Sequence, residues 1–235
     1  MAETTTTTPA TPPAPAEGET AARSRVFIVD DHAMFREGLR QIIERDPGFT
    51  VCGDAAESDE ALRGIRETKP DVVLVDISLA GASGIDLIKT LKAEDADLPI
   101  LVVSMHDELL YAERALRAGA MGYVMKHEPA KTVKAAIRKV LGGDMHLSER
   151  MTRSVVAKFA RGQPSAAAAS PVEALSDREL EVFRQLGQGK GVREIAEVLG
   201  VTVATVNTFR NRIKEKLQLK SSTEVMLHAI QWSRE

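Results

Sequence analysis

The sequence predicts an α/β fold, a doubly wound five-stranded parallel sheet, followed by a small all-α unit. Short apolar runs at 26–29, 72–75, 100–103 and 122–125 alternate with stretches whose apolar residues recur at helical spacing. Such alternation builds a parallel sheet covered on both faces, whose strands are apolar throughout rather than at every second residue. Beyond residue 172 the period is helical to the end of the chain, so the architecture changes there.

The elements follow in order. A strand at 25–30 leads to a helix at about 34–45, a strand at 49–53 and a helix at 58–68. Next come strand 71–76, helix 84–92, strand 98–103, helix 107–118, strand 121–125 and helix 130–142. Gly119, Gly142 and Gly143 stand where helix C-caps belong, and Pro70 and Pro99 precede or open strands. Segment 148–160 is weakly amphipathic, and 162–171, rich in alanine and serine, is the expected hinge. Ser176 and Glu179 form a capping box ahead of Leu180, Val182, Phe183 and Leu186, in a helix that Gly187 and Gly189 end. A short helix at about 192–199 stops at Gly200, Thr202 caps a longer one at 203–218, and a last helix runs from Ser222 to Trp232. The expected division is a disordered tail at 1–23, an α/β domain at 24–145, a partly helical linker at 146–172 and a helical domain at 173–235.

Composition narrows the function. With one cysteine, Cys52, no intramolecular disulfide can form, and no metal-binding cysteine spacing exists. No apolar run reaches the ~20 residues of a membrane helix, and the N-terminus lacks the apolar core of a signal peptide, so the expectation is a cytoplasmic protein without membrane contact. The net charge of −3 does not point to nucleic acid, so DNA binding must be argued from local pattern.

The chemistry gathers at strand ends. Asp30 and Asp31 close the first strand, Asp76 the third, Ser104 the fourth and Lys126 the fifth. In parallel α/β sheets, groups at the carboxyl ends of the strands converge on one crevice. Three acids, a hydroxyl and a lysine in one pocket suit a hard cation and a phosphoryl group.

Residues 25–142 resemble the receiver domain of two-component response regulators, a flavodoxin-like fold. The resemblance rests on Asp30-Asp31-His32, on Lys69-Pro70-Asp71 leading to Asp76, and on Ser104, Tyr123 and Lys126 in order. It implies Asp76 as phosphoacceptor, Mg²⁺ held by Asp30, Asp31, Asp76 and the Ser78 backbone carbonyl, and a sensor histidine kinase as phosphodonor. Lys126 and Ser104 would bind the phosphoryl oxygens, and Tyr123 would occupy the space that Ser104 leaves on moving inward. Where the family usually has proline after the acceptor, this chain has Ala80.

Residues 173–235 resemble the LuxR-type helix-turn-helix that ends NarL/FixJ-family regulators. The carrying residues are 175–179, 189–199 with Glu194-Ile195-Ala196, and 205–217. In the 203–218 helix, Val206, Phe209, Ile213 and Leu217 form the inward stripe, leaving Ala204, Asn207, Thr208, Asn211 and Lys214 for base edges of double-stranded DNA. Arg210, Arg212, Lys214, Lys216 and Lys220 stand against Glu215 alone, which supplies phosphate attraction; Arg210 and Lys220 join the expected contacts. Asn207 and Phe209 depart from the family, which has a basic residue and a histidine there. Asn207 suits a bidentate contact to adenine, or is a solvated helix residue. The family's last helix commonly mediates dimers, so a homodimer when phosphorylated is expected.

The function expected is a phosphorylation-controlled transcription regulator rather than a turnover enzyme. Aspartyl-phosphate phosphatases of the haloacid-dehalogenase type carry a second aspartate two residues after the nucleophile, where this chain has Ser78. The other alternative is a DNA-binding regulator that ignores phosphorylation and answers to a partner or to dimerisation alone.

Overall fold

The computed structural model describes residues 22–79, 82–160 and 171–233. Nearly all of the expected tail, most of the hinge, and Ala80 lie outside the described residues.

The α/β part runs β1 (Ser24–Val29), α1 (Ala33–Glu44), β2 (Phe49–Ala55), α2 (Ser58–Thr68), β3 (Val72–Val75), β4 (Ser78–Leu79), β5 (Ala82–Ser83), α3 (Gly84–Glu94), β6 (Ile100–Ser104), α4 (Glu108–Ala118), β7 (Gly122–Met125) and α5 (Ala130–Leu141). Five strands form a parallel sheet in the order β2-β1-β3-β6-β7. The chain leaves β1 toward β2 on one side and later enters β3 on the other, so the switch point lies between β1 and β3. Asp30 and Asp76 follow those two strands.

Each sheet face has its own core. Val26, Ile28, Leu74 and Leu101 pack against Leu39 and Ile43 of α1 and Ile137 and Val140 of α5. Phe27, Val29, Val73 and Val75 face α2, α3 and α4, and this second core continues into the C-terminal helices through Leu180 and Phe183. Each buried branched side chain contributes about 1.5–3 kcal/mol, which explains why these strands are apolar on both faces.

The C-terminal part consists of α6 (Glu149–Ala160), a 3₁₀ turn (Pro171–Ala174), α7 (Asp177–Gly187), α8 (Val192–Val198), α9 (Val203–Lys216) and α10 (Ser222–Trp232). The capping box at Ser176 and Glu179 forms, and Thr202 caps α9. Gly119, Gly189 and Gly200 take the positive φ that helix ends favour.

Three local features depart from expectation. Pro171, assigned to the hinge, begins the 3₁₀ turn. Lys69, not a glycine, ends α2 in the left-handed conformation at φ 47°. After Asp76 the chain forms the antiparallel pair β4–β5, with Ser78 opposite Ser83 and Leu79 opposite Ala82. The N–H of Gly84 then donates to the Ile77 carbonyl at 2.7 Å. Only glycine fits there, since a Cβ on Gly84 would lie 1.9 Å from the Asp76 carbonyl oxygen.

Candidate functional site

Five of the expected residues meet at the carboxyl edge of the sheet. Lys126, one residue past β7, bridges Asp30 Oδ2 at 2.6 Å and Asp76 Oδ2 at 2.7 Å, with its ammonium 4.5 Å from the Phe35 ring centre. Asp30 and Asp76 are buried, and Asp31 beside them is half-buried. Burial pushes the Asp76 carboxyl above its usual range, against the pull of Lys126, and the Asp30 charge adds to the rise. Ser104 is fully buried, and its Oγ accepts from the His106 N–H at 3.3 Å. Tyr123 is buried with its ring inward, its hydroxyl donating to the His106 carbonyl at 2.9 Å. Burial also drives the Tyr123 phenol upward, so it remains a donor.

The donor set fits a hard cation. Ligand atoms of Asp30, Asp31, His32 and Asp76 lie within 4.8 Å of one another. Asp76 Oδ1 is buried and has no hydrogen-bond partner, a costly arrangement that a bound cation would relieve. Three carboxylates are oxygen donors of the kind Mg²⁺ takes, whereas His32 is exposed and pairs with Asp31 at 2.7 Å. Ser78 opens β4 two residues past Asp76.

Residues that sequence reasoning did not single out surround this pocket. Arg36 donates to the Asp30 carbonyl at 2.5 Å and to Asp54 at 2.7 Å, tying α1 to the Asp30 loop. His106, Arg178, Glu181 and Arg184 join the β4–β5 loop to α7. Arg114 of α4 reaches the Leu175 carbonyl at 2.7 Å and Asp177 at 3.1 Å. These pairs are up to 103 residues apart in sequence, and no local pattern announces them.

At the other end of the molecule, Val206 and Ile213 of α9 and Leu217 just past its end are buried, and Phe209 packs half-buried on the core, as the stripe implies. Asn207, Thr208 and Asn211 are exposed on the outward side, while Arg210 and Lys214 are half-buried. Arg210 donates to Asn207 Oδ1 at 3.3 Å, and Thr208 Oγ1 to the Ala204 carbonyl at 3.0 Å. Lys220 is exposed in the turn after α9. Lys216, counted with the basic residues, pairs with Glu179 at 2.7 Å, so its charge serves the fold.

Comparison with known proteins places both halves. The family described as Response regulator receiver domain matches residues 26–138, and that described as Bacterial regulatory proteins, luxR family, matches 173–229. The Oxygen regulatory protein NreC of Staphylococcus carnosus (strain TM300) is 35% identical over 209 residues, covering 88% of this chain and 96% of that protein. The chain belongs to the two-component response regulators. It controls transcription through a receiver domain and a LuxR-type helix-turn-helix. A LuxR-family response regulator from Aurantimonas sp. SI85-9A1 superimposes with TM-score 0.56 and 36% identity, over 59% of this chain and 99% of that one. RcsB of Salmonella enterica serovar Typhimurium, bound to promoter rprA with the phosphomimetic BeF3−, shares the fold at TM-score 0.57 and 23% identity, over 88% and 98% of the two chains. A receiver implies a histidine kinase as partner, and the helix-turn-helix implies DNA. Among the described residues of this response regulator, no helix is long and apolar enough to cross a membrane.

Proposed function

We propose that Asp76 is the phosphoacceptor of this regulator, that Mg²⁺ occupies the Asp30–Asp31–Asp76 cluster, and that phosphorylation governs DNA binding by α9. The observation that carries this reading is the orphaned, buried Asp76 Oδ1 at the switch point, beside a carboxylate cluster that Lys126 only partly neutralises. In the proposed step an Asp76 oxygen attacks phosphorus of the kinase's phosphohistidine; a P–O bond forms, the P–N bond breaks, and the released imidazole takes up a proton. Bound Mg²⁺ supplies charge neutralisation for the incoming phosphoryl dianion. Asp30, Asp31 and Asp76, with the Ser78 carbonyl, would hold the ion; Lys126 and Ser104 would donate to the phosphoryl oxygens. The same residues make the chain an assistant in its own phosphorylation and dephosphorylation, not a turnover enzyme.

In the output domain, Asn207, Thr208, Asn211 and Lys214 are the proposed groove contacts, with Arg210 and Lys220 on phosphates. Leu227, exposed on α10, supports that helix as the face of a phosphorylated homodimer. The work is cytoplasmic, as a kinase-fed transcription factor requires. Incubation with acetyl phosphate and Mg²⁺, followed by intact-protein mass spectrometry, tests the acceptor. One phosphoryl group is expected on wild type and none on Asp76→Asn; equal uptake by both proteins rejects the assignment.

A further inference from the structure

His32 stands where α1 would take a capping side chain, yet its imidazole makes no cap hydrogen bond. Its backbone N–H donates to Asp30 Oδ1 at 2.9 Å, which fixes the 30–32 turn. The imidazole Nδ1 lies 3.4 Å from Asp30 Oδ1 and 2.7 Å from Asp31 Oδ1. Asp31 Oδ1 is nevertheless buried without a hydrogen-bond partner, so the two atoms stand close without hydrogen-bond alignment. Asp76 Oδ1, on a side chain 2% exposed, is also unpartnered, while Lys126 takes the Oδ2 atoms of Asp76 and Asp30. One ligand atom from each of Asp30, Asp31, His32 and Asp76 lies within 4.8 Å of the others, against about 3.4 Å between the ligands of a tetrahedral zinc ion. Small side-chain rotations complete such a set. Ionised, the three carboxylates outweigh the Lys126 ammonium by two negative charges, which a divalent ion cancels.

We propose that His32 completes a four-ligand site for a transition ion of the Zn²⁺ class with Asp30, Asp31 and Asp76, and that occupancy of this site excludes Mg²⁺ and blocks phosphorylation of Asp76. This rests on the reading of the acidic cluster as a cation site and of Asp76 as phosphoacceptor. Mg²⁺ takes oxygen ligands in an octahedron and keeps several waters, so it makes no use of an imidazole. Zn²⁺ takes histidine nitrogen and carboxylate oxygen together, and four protein ligands leave no open position. In such a closed set the Asp76 lone pair that would attack phosphorus is committed to the metal, and no coordination position remains for the phosphoryl oxygens. The His32 side chain is 67% exposed, so the nitrogen ligand stands at the solvent edge of the cluster, where it can swing onto an entering ion without disturbing the sheet. The two ions thus compete for the same carboxylates with opposite results: one prepares the acceptor and the other ties it up.

Full-length wild type, His32→Ala and His127→Ala test the proposal; His127 is exposed beside Lys126 but outside the four-residue set, and so reports stray imidazole binding. Zn²⁺ and Mg²⁺ affinities are measured by titration calorimetry, singly and in competition, and Co²⁺ stands in for Zn²⁺ in visible absorption. Wild type is expected to bind one Zn²⁺ that Mg²⁺ displaces, and to give the strong visible bands of tetrahedral Co²⁺. In His32→Ala the ratio of Zn²⁺ to Mg²⁺ affinity should fall about 10-fold or more, since a lost ligand costs at least what a lost outer-shell partner does. Phosphoryl uptake from acetyl phosphate, followed by intact mass at fixed Mg²⁺, should fall in wild type as Zn²⁺ is added, and His32→Ala should need about 10-fold more Zn²⁺ for the same loss. An unchanged affinity ratio in His32→Ala, an equal fall in His127→Ala, or undiminished uptake by Zn²⁺-loaded wild type overturns the proposal. Zn²⁺ binding through His32 with no Mg²⁺ binding at all would keep the site and remove the Mg²⁺ reading beneath it, whereas a wild type that binds neither ion removes both.

Discussion

Asp76 carries a conflict between burial and charge. Its folded pKa is raised, so the ionised form costs stability once pH climbs above its ordinary value of 3.8, and the cost is complete above the folded value. Asp76→Asn removes that cost while Lys126 keeps Asp30 as partner. The variant should be more stable at neutral pH by on the order of 1 kcal/mol, with the difference shrinking toward about pH 3, as urea melts across that range will record. Gly84 carries a steric constraint in the same loop: Gly84→Ala must displace the Asp76 carbonyl, costing about 1–3 kcal/mol and slowing phosphoryl uptake together. At this scale much of the site was legible. Asp30, Asp31, Asp76, Ser104 and Lys126 each follow or end an apolar run, and a parallel sheet brings such positions together. His106, Arg178, Glu181 and Arg184 were not, because partners 28 to 103 residues apart share no local signal.

Among the elements, the capping box that opens α7 also anchors α9. Although burial raises the pKa of Glu179, the Lys216 ammonium and the Ser176 N–H hold it below the usual carboxylate range. A depressed carboxyl stabilises the fold above its ordinary value of 4.5, and that contribution is lost as pH falls through the folded value. Lys216→Met should therefore weaken the helical half at neutral pH and flatten its acid sensitivity between about pH 5 and 3, which circular dichroism melts will show. The junction of α4 and α6 makes a similar prediction. Ser148 caps α6 by accepting from the Met151 N–H at 3.1 Å, and it donates from both its N–H and its hydroxyl to buried Glu108. Ser148→Ala should cost about 1–2 kcal/mol, and amide exchange should quicken across α6 before it does in the sheet. The long elements were legible because apolar periodicity extends over several turns. The β4–β5 pair was not: two residues per strand carry no period, and Ile77 and Leu79 are instead buried in the same core as Ile85 and Ile88 of α3.

For the molecule as a whole, both halves share a continuous core and an interface of charged side chains, so phosphorylation and DNA binding are joined through one structure. The two-part architecture was legible from the change of hydrophobic period, whereas the docking of α7 on the receiver was not, because it depends on surfaces that no single segment defines. Exposed Leu227 predicts that Leu227→Glu lowers the dimer fraction of the phosphorylated protein in sedimentation velocity while leaving phosphoryl uptake unchanged. The central claim is that Asp76 chemistry controls DNA affinity. It is tested most directly by measuring affinity for sites selected from random sequence, with and without acetyl phosphate and Mg²⁺, for wild type and Asp76→Asn. Tighter binding by phosphorylated wild type alone is the predicted result; equal affinity in all four samples would contradict the account and leave control to a partner or to dimerisation.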